Sequence, residues 1–482
     1  MKKYIAIIFI LGILSSCQDF LTEKPYDFLG NNFYKTEKDA AIGLNAVFVP
    51  MQAQTYYQRT AWLVSELPGD YLQTALVNAP RQEIEGFFYT DANDEIRNWW
   101  INSYIMINRA NDLLEQVPSI VMNDASKNNI LGNARFLRAL AYFDLIRSFG
   151  DVPLVLKTIK SPSDPNLKPA RTAFADVYTQ IIEDLTFAEA NCVKENAIVT
   201  GEKGRVSSGA AAALLAKVYL TRASTSAAVS GDNQKALDAC NRVIAQNLYK
   251  LIPVYGDIFD PDPAKENKDE HIFSVQFDNP NATGNIVIAM MFPTVAGVIG
   301  GQGSGSFKLN NAFVASFGGT DIRKAWNTSN MAGATVLPYY YLNKYRDPNR
   351  TANGNNNARN NFIILRMADV QLMHSEATNA INTGDVNKFN GINLVRARAG
   401  LGPLSFGTTP TNDNFIDALL QERAWELCME GHRRYDLIRM GRLKQYQKTV
   451  YNRDIDDNHL LFPVPQSEIL INPNLKPNNP GF

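Results

Sequence analysis

Histidine and cysteine are scarce in this chain of 482 residues, with four of each. No CxxC pair occurs, and Cys192, Cys240 and Cys428 form an odd, widely spaced set. A disulfide framework or a zinc site is therefore not expected, and the three thiols read as small buried apolar side chains. Charge of one sign is missing too. The 47 basic and 48 acidic side chains leave a formal net charge of −1, and removing Lys2 and Lys3 takes it to about −3. Such a surface offers nothing to nucleic acid or to anionic lipid. The local signatures GxSxG, HExxH and a phosphate-binding glycine loop are all absent, and no cofactor or metal is implied. Length says less: the prior is about three domains, although single architectures of this size exist.

What is present begins at the N-terminus, MKKYIAIIFILGILSSC. Two lysines, an apolar run too short to span ~30 Å of hydrocarbon and then small residues describe a cleaved export signal. Its end, Leu14-Ser15-Ser16-Cys17, resembles the bacterial lipobox. The expectation is a lipoprotein signal peptide over 1–16, an acylated Cys17 as the mature first residue, and a tether over 17–27. The plainer alternative is an ordinary secretory signal that happens to end in cysteine. Two or more acyl chains anchor a protein stably, so no transmembrane helix is required and none is visible elsewhere.

Helical periodicity runs through long stretches. Over 133–149, Phe136, Leu140 and Phe143 form one stripe and Leu137, Ala141 and Leu145 another. A helix apolar most of the way round is buried, so Arg138, Asp144 and Arg147 need partners inside the fold. The chain stops at Gly150 and leaves through Asp151-Val152-Pro153. Alanine-rich 207–222 precedes amphipathic 234–246, and 364–381 precedes 385–399. This recurring pair looks like a tetratricopeptide-type unit, which hides its apolar face only against the next unit. Mainly α architecture follows, an α-α superhelix scaffold over 28–252 and 362–482. Between them, about 253–361, periodicity fades apart from a predicted strand at 271–277. Gly, Asn and Ser are dense there, and aromatics recur: Phe292, Phe307, Trp326 and Tyr339-Tyr340-Tyr341. Long irregular loops in a folded protein are commonly functional, so the ligand face is placed on this loop-rich, partly β insertion.

Eight ordered stretches then resemble one family. They are CQDFLTEKP (17–25), WINSYIMINRANDLLE (100–115), ARFLRALAYFDLIRSFGDVPL (134–154), RVSSGAAAALLAKVYL (205–220), LRMADVQLMHSEA (365–377), INLVRARAGL (392–401), ERAWELCMEGHRRYDLIRMGRL (422–443) and LFPVPQSEILINPNLKPNNPGF (461–482). The family is SusD/RagB, outer-membrane nutrient-binding lipoproteins. The resemblance implies a single domain over 28–482 and attachment through Cys17 to the outer membrane, exposed at the cell surface. It also implies a partner that spacing alone could not supply, a SusC-like TonB-dependent transporter over which the protein sits like a lid.

The densest polar segment, ERAWELCMEGHRRYDLIRMGR, invites a search for an active site at Glu422, Glu426, Glu430 and His432. Ile416, Leu419, Leu420, Ala424 and Leu427 form its apolar stripe, however, so the charges are read as a structural network with Arg423, Arg433, Arg434 and Arg439. His374-Ser375-Glu376 lacks the CxxC that would complete a deaminase metal site. A pair of catalytic carboxylates from distant segments is not detectable in sequence. No catalytic residue is assigned. A saccharide site instead wants an aromatic plane with amide, Arg or Asp groups at its edge. By family analogy, the loop after Glu66-Leu67-Pro68-Gly69-Asp70 offers Asp70, Tyr71, Asn78 and Arg81. The insertion adds Phe292, Trp326, Tyr339 and Tyr340. Trp99 and Trp100 read as core. A tryptophan-rich arc suited to starch is missing. The function that the resemblance implies is non-catalytic glycan binding and delivery to the transporter. A peptide or glycopeptide ligand is the alternative, and a surface glycoside hydrolase a third reading.

Overall fold

Helix α1 (Glu37–Phe48) begins where Thr36 and Asp39 cap each other: the Asp39 N–H donates to Thr36 Oγ1 at 3.3 Å and the Thr36 N–H to Asp39 Oδ2 at 2.8 Å. The computed structural model describes residues 33–159, 161, 163–164, 166–262, 269–277, 284–298, 301–350 and 358–482. Cys17, the signal peptide over 1–16 and the tether over 17–27 lie outside the described residues.

Short α2 (Thr60–Glu66) and α3 (Ala79–Gly86) lead into the long helices α4 (Asp94–Gln116), α5 (Asp124–Phe149), α6 (Phe174–Asn191), α7 (Ser208–Ala223) and α8 (Asp232–Ala245). From α4 onward each of these packs on the next. The stack then skips the insertion, because α8 packs directly on α9 (Met367–Ile381), and α9 on α10 (Lys388–Arg398). This is the tetratricopeptide-like scaffold, continued by α11 (Asn412–Leu427) and α12 (Arg433–Arg439).

Composition explains the closeness of the stack. In α7, Ala210, Ala211, Ala212, Ala213 and Ala216 are all fully buried, so neighbours approach on every side. A Cβ on Gly391 of α10 would lie 2.0 Å from the Gln371 carbonyl oxygen of α9, which only glycine permits. Helix α5 is buried around its circumference, and its charges are matched. Arg138 grips Asp184 of α6 through two 2.8 Å bonds, and Asp144 accepts from Tyr57 at 2.6 Å and Arg147 at 2.6 Å. The helix ends at Gly150, whose φ of 71° suits a residue without Cβ.

Two antiparallel sheets interrupt the helices. One joins β2 (His271–Val275) to β6 (Phe362–Arg366), with Val275 opposite Phe362. The other has four strands in the order β1 (Leu72–Thr74), β3 (Phe307–Leu309), β5 (Thr335–Leu342) and β4 (Thr328–Ala332). Its register sets Leu72 against Leu309 and Leu309 against Tyr340.

Several expectations change. Residues 364–366 are strand rather than helix: Ile363, Ile364 and their β6 neighbours are all buried, and the strand pairs edge to edge with β2. Helix α5 starts nine residues before 133, where Asn123 caps the Ala125 and Ser126 amides. Helix α6 lies outside the segments read above as helical, although Val177, Tyr178, Ile181, Leu185 and Ala188 carry its buried stripe at helical spacing.

Candidate functional site

The polar segment of α11 and α12 is a closed ionic network. Glu422 accepts from Arg323 at 2.6 Å and Arg396 at 3.0 Å. Glu426 accepts from Arg366 at 2.5 Å, Arg323 at 3.0 Å and Arg398. Glu430 takes Lys344 at 2.5 Å and Arg366 at 2.7 Å, while Glu270 takes Arg366 at 2.7 Å and Arg398 at 2.9 Å. Asp321 completes it against Arg323 at 2.8 Å. Five carboxylates thus meet five cations. Burial pushes Glu426 upward, but the guanidinium groups of Arg398, Arg366 and Arg323 outweigh it and hold its pKa well below the usual carboxylate range.

The structural reading of these charges therefore stands, with different partners. Glu422, Glu426 and Glu430 pair with cations from the insertion, β6 and α10 rather than with arginines of their own segment. Arg423 instead holds Asp369 at 2.9 Å and Asp436 at 2.6 Å, Arg433 holds Asp70, and Arg439 holds Asp436 and Glu376. Arg434 has no carboxylate among the described residues; it donates to the Leu460 carbonyl and lies 4.0 Å over the Phe462 ring. His432 sits beside Lys217 at 3.3 Å, and burial drives its pKa far down. No group of three His, Cys, Asp or Glu side chains able to hold a metal occurs among the described residues, and Cys192, Cys240 and Cys428 are free and buried.

Two of the loop candidates are committed to contacts within the fold. Tyr71 is fully buried, stacked on Phe313 at 4.8 Å; its hydroxyl donates to Glu66 and accepts the Met429 N–H at 2.7 Å. Asp70 accepts two 2.6 Å bonds from Arg433. The Glu66–Tyr71 stretch is thus a clamp on the turn between α11 and α12, since Glu66 also accepts the Gly431 and His432 amides at 2.6 and 2.9 Å. Phe292 is likewise buried, with its edge against Tyr341. Neither ring has a face for a ligand, because the fold uses both faces for packing. Half-buried Trp326 donates to the Lys344 carbonyl at 3.0 Å and carries Arg346 3.8 Å over its ring, so it pins the insertion.

The other candidates lie on or beside one sheet. Asn78 caps α3, and Arg81 on that helix lies 3.8 Å from Glu95 and 5.8 Å from the Phe307 ring of β3. Tyr339 and Tyr340, both half-buried on β5, point to opposite faces of the same sheet. Strand β1 is what brings the loop and the insertion together, extended by the Ala75 N–H donating to the Ser306 carbonyl at 2.8 Å. Exposed aliphatic side chains surround this region: Leu76 and Val77 beyond β1, Met331 and Val336 on the β4–β5 hairpin, and Val295 on the loop tied to it by the Gly333–Gly297 bond. Val77 is 91 % exposed. Sequence reasoning passed over Leu76 and Val77, although aliphatic residues between Asp70 and Pro80 without helical spacing were the available signal.

Residues 318–482 match the family model described as the SusD family, and residues 19–220 match one described as starch-binding and associating with the outer membrane. A SusD-like protein, P2, of Formosa agariphila is 27 % identical over the whole of both chains. A second, P25 of the same organism, is 25 % identical over 98 % of this chain and 97 % of its own. Among solved structures, a laminarin-binding SusD-like protein superposes with a TM-score of 0.78 at 26 % identity, covering 93 % of this chain and 100 % of that one. A SusD superfamily protein of Parabacteroides distasonis gives 0.81 at 24 % identity over 92 % and 99 %, which agrees on the fold.

Proposed function

Since this chain belongs to the SusD/RagB family, we propose that it is a non-catalytic, surface-exposed lipoprotein of the outer membrane, anchored through Cys17, that binds glycans and delivers them to a SusC-like TonB-dependent transporter. The observation that carries the ligand side is the four-stranded sheet, which joins the Asn78–Arg81 helix to the Tyr339–Tyr340 strand. Rings with amide and guanidinium groups at their edge suit saccharides, which present flat C–H faces and a rim of hydroxyls. The buried carboxylates favour binding over hydrolysis, because Glu422, Glu426 and Glu430 are each committed to ion pairs rather than poised as an acid and base pair. Outer-membrane association is part of the matching family's description, and a relative with 26 % identity binds laminarin.

Electrophoresis of the mature protein through gels containing laminarin, starch or other polysaccharides tests this reading. Retardation by at least one glycan without new reducing ends is the expected result; steady release of reducing ends would overturn it. A peptide or glycopeptide ligand is the second reading, favoured by exposed Leu76 and Val77 where an aromatic arc is missing. Calorimetry against peptide and glycan panels separates the two.

A further inference from the structure

Away from the four-stranded sheet, a cleft of about 410 Å³ opens between the end of α1, the turn Val49–Gln52, the loop 201–205 and β2. That volume lies in the range of small-molecule sites. Its walls are mixed: Phe48 is half-buried, Met51 and Phe273 form the floor, and Asn45, Gln52, Gln276 and Arg205 supply polar groups. Arg205 is the unusual member. Among the described residues no carboxylate lies within ion-pair distance of its half-buried guanidinium, which donates to Asn45 Oδ1 at 2.5 Å and lies 5.4 Å from the Phe48 ring centroid. The neighbouring Lys203 is already neutralised by Glu195 at 3.0 Å. Gln52 donates to the Gln276 carbonyl at 2.8 Å, which fixes its amide at the cleft wall.

We propose that this cleft is a second saccharide subsite that takes an acidic sugar unit, a uronate. The planar guanidinium of Arg205 matches a carboxylate with two parallel N–H donors, a stronger and more directional contact than a neutral hydroxyl offers. The amides of Asn45 and Gln52 suit ring hydroxyls, and Phe48 offers an apolar surface to the C–H face. One charge opposes the ligand. Glu202, exposed on the cleft's rim, acts on Arg205 through space and repels an anion beside it.

That opposition provides a test by sign. The inference rests on the saccharide-binding reading, so the experiment measures both: calorimetry of the mature protein with methyl glucuronide, methyl galacturonide and methyl glucoside, beside retardation in polysaccharide gels. One of the two uronides is expected to bind and the glucoside not. Arg205→Gln is expected to weaken uronide binding about tenfold or more, as loss of a charge-assisted contact does. Glu202→Gln, an exposed change that leaves folding intact, is expected to strengthen it about two- to fivefold by removing a like charge. Tyr339→Ala is expected to leave uronide affinity unaltered. Equal affinity for glucoside and uronide, or a Glu202→Gln protein unchanged in uronide affinity, overturns the charge-selective subsite. Polysaccharide retardation without any uronide binding overturns the subsite alone. Absence of retardation by any glycan strikes the broader reading instead.

Discussion

Arg433 at the start of α12 holds both carboxylate oxygens of Asp70 at 2.6 Å, joining a loop near the N-terminal end of the fold to the C-terminal helices. The bidentate geometry turns a family-analogy ligand residue into a fastening.

Removing either partner leaves a buried charge alone. Arg433→Ala and Asp70→Ala are each expected to destabilise the protein by about 3–5 kcal/mol, read as lowered midpoints of denaturant unfolding. The double variant is expected to recover part of that loss. A Asp70→Ala protein with unchanged stability and abolished glycan binding would return Asp70 to the ligand site.

Glu66 carries a pH dependence. Burial lifts its carboxyl from 4.5 to about 7, although the Tyr71 hydroxyl and the His432 and Gly431 amides pull the other way. A folded-state pKa above the unfolded value means the native protein binds the proton more tightly. Its contribution to stability is therefore complete below pH 4.5 and lost as pH rises through 7. Over that window the difference is worth about 3 kcal/mol. Glu66→Gln keeps an acceptor for the two amides and has no proton to lose, so its stability relative to the parent protein is expected to increase from pH 5 to pH 8. Urea titrations at several pH values check this.

Gly391 sets the spacing of α9 and α10. Gly391→Ala is expected to cost about 1–3 kcal/mol through overpacking, because the new methyl meets the backbone carbonyl of Gln371 rather than a movable side chain. A thermal scan showing no loss would mean the two helices separate freely.

Tyr339 and Tyr340 on one side and Tyr71 on the other are expected to behave oppositely. Tyr339→Ala or Tyr340→Ala should reduce retardation in the glycan gel. Tyr71→Phe should leave retardation intact and lower stability by about 1–3 kcal/mol, since the Met429 N–H and Glu66 lose a buried partner. Loss of glycan binding in Tyr71→Phe at unchanged stability would contradict the burial of that ring.

Local periodicity settled several helices and one strand, because each rests on spacing within about one to two dozen neighbouring residues: the stripes of 133–149, the alanines of 207–222, the strand at 271–277. It also determined that Arg138 and Asp144 needed interior partners, since a helix apolar all round leaves them nowhere else to go. Which partners close each charge is set by the packing of distant segments. Glu426 finds Arg366, Arg323 and Arg398 on three separate segments, and no local pattern encodes pairs that form across the fold. The same holds for the aromatics. Tyr71, Phe292 and Tyr339 look alike in the sequence, yet the first two are buried and the third is only partly covered. What separates them is the pairing of β1 with β3 and of β3 with β5, which unites a loop near residue 70 with strands beyond residue 300. Burial of a ring is a property of the neighbours that arrive, and those neighbours come from parts of the chain that periodicity does not connect.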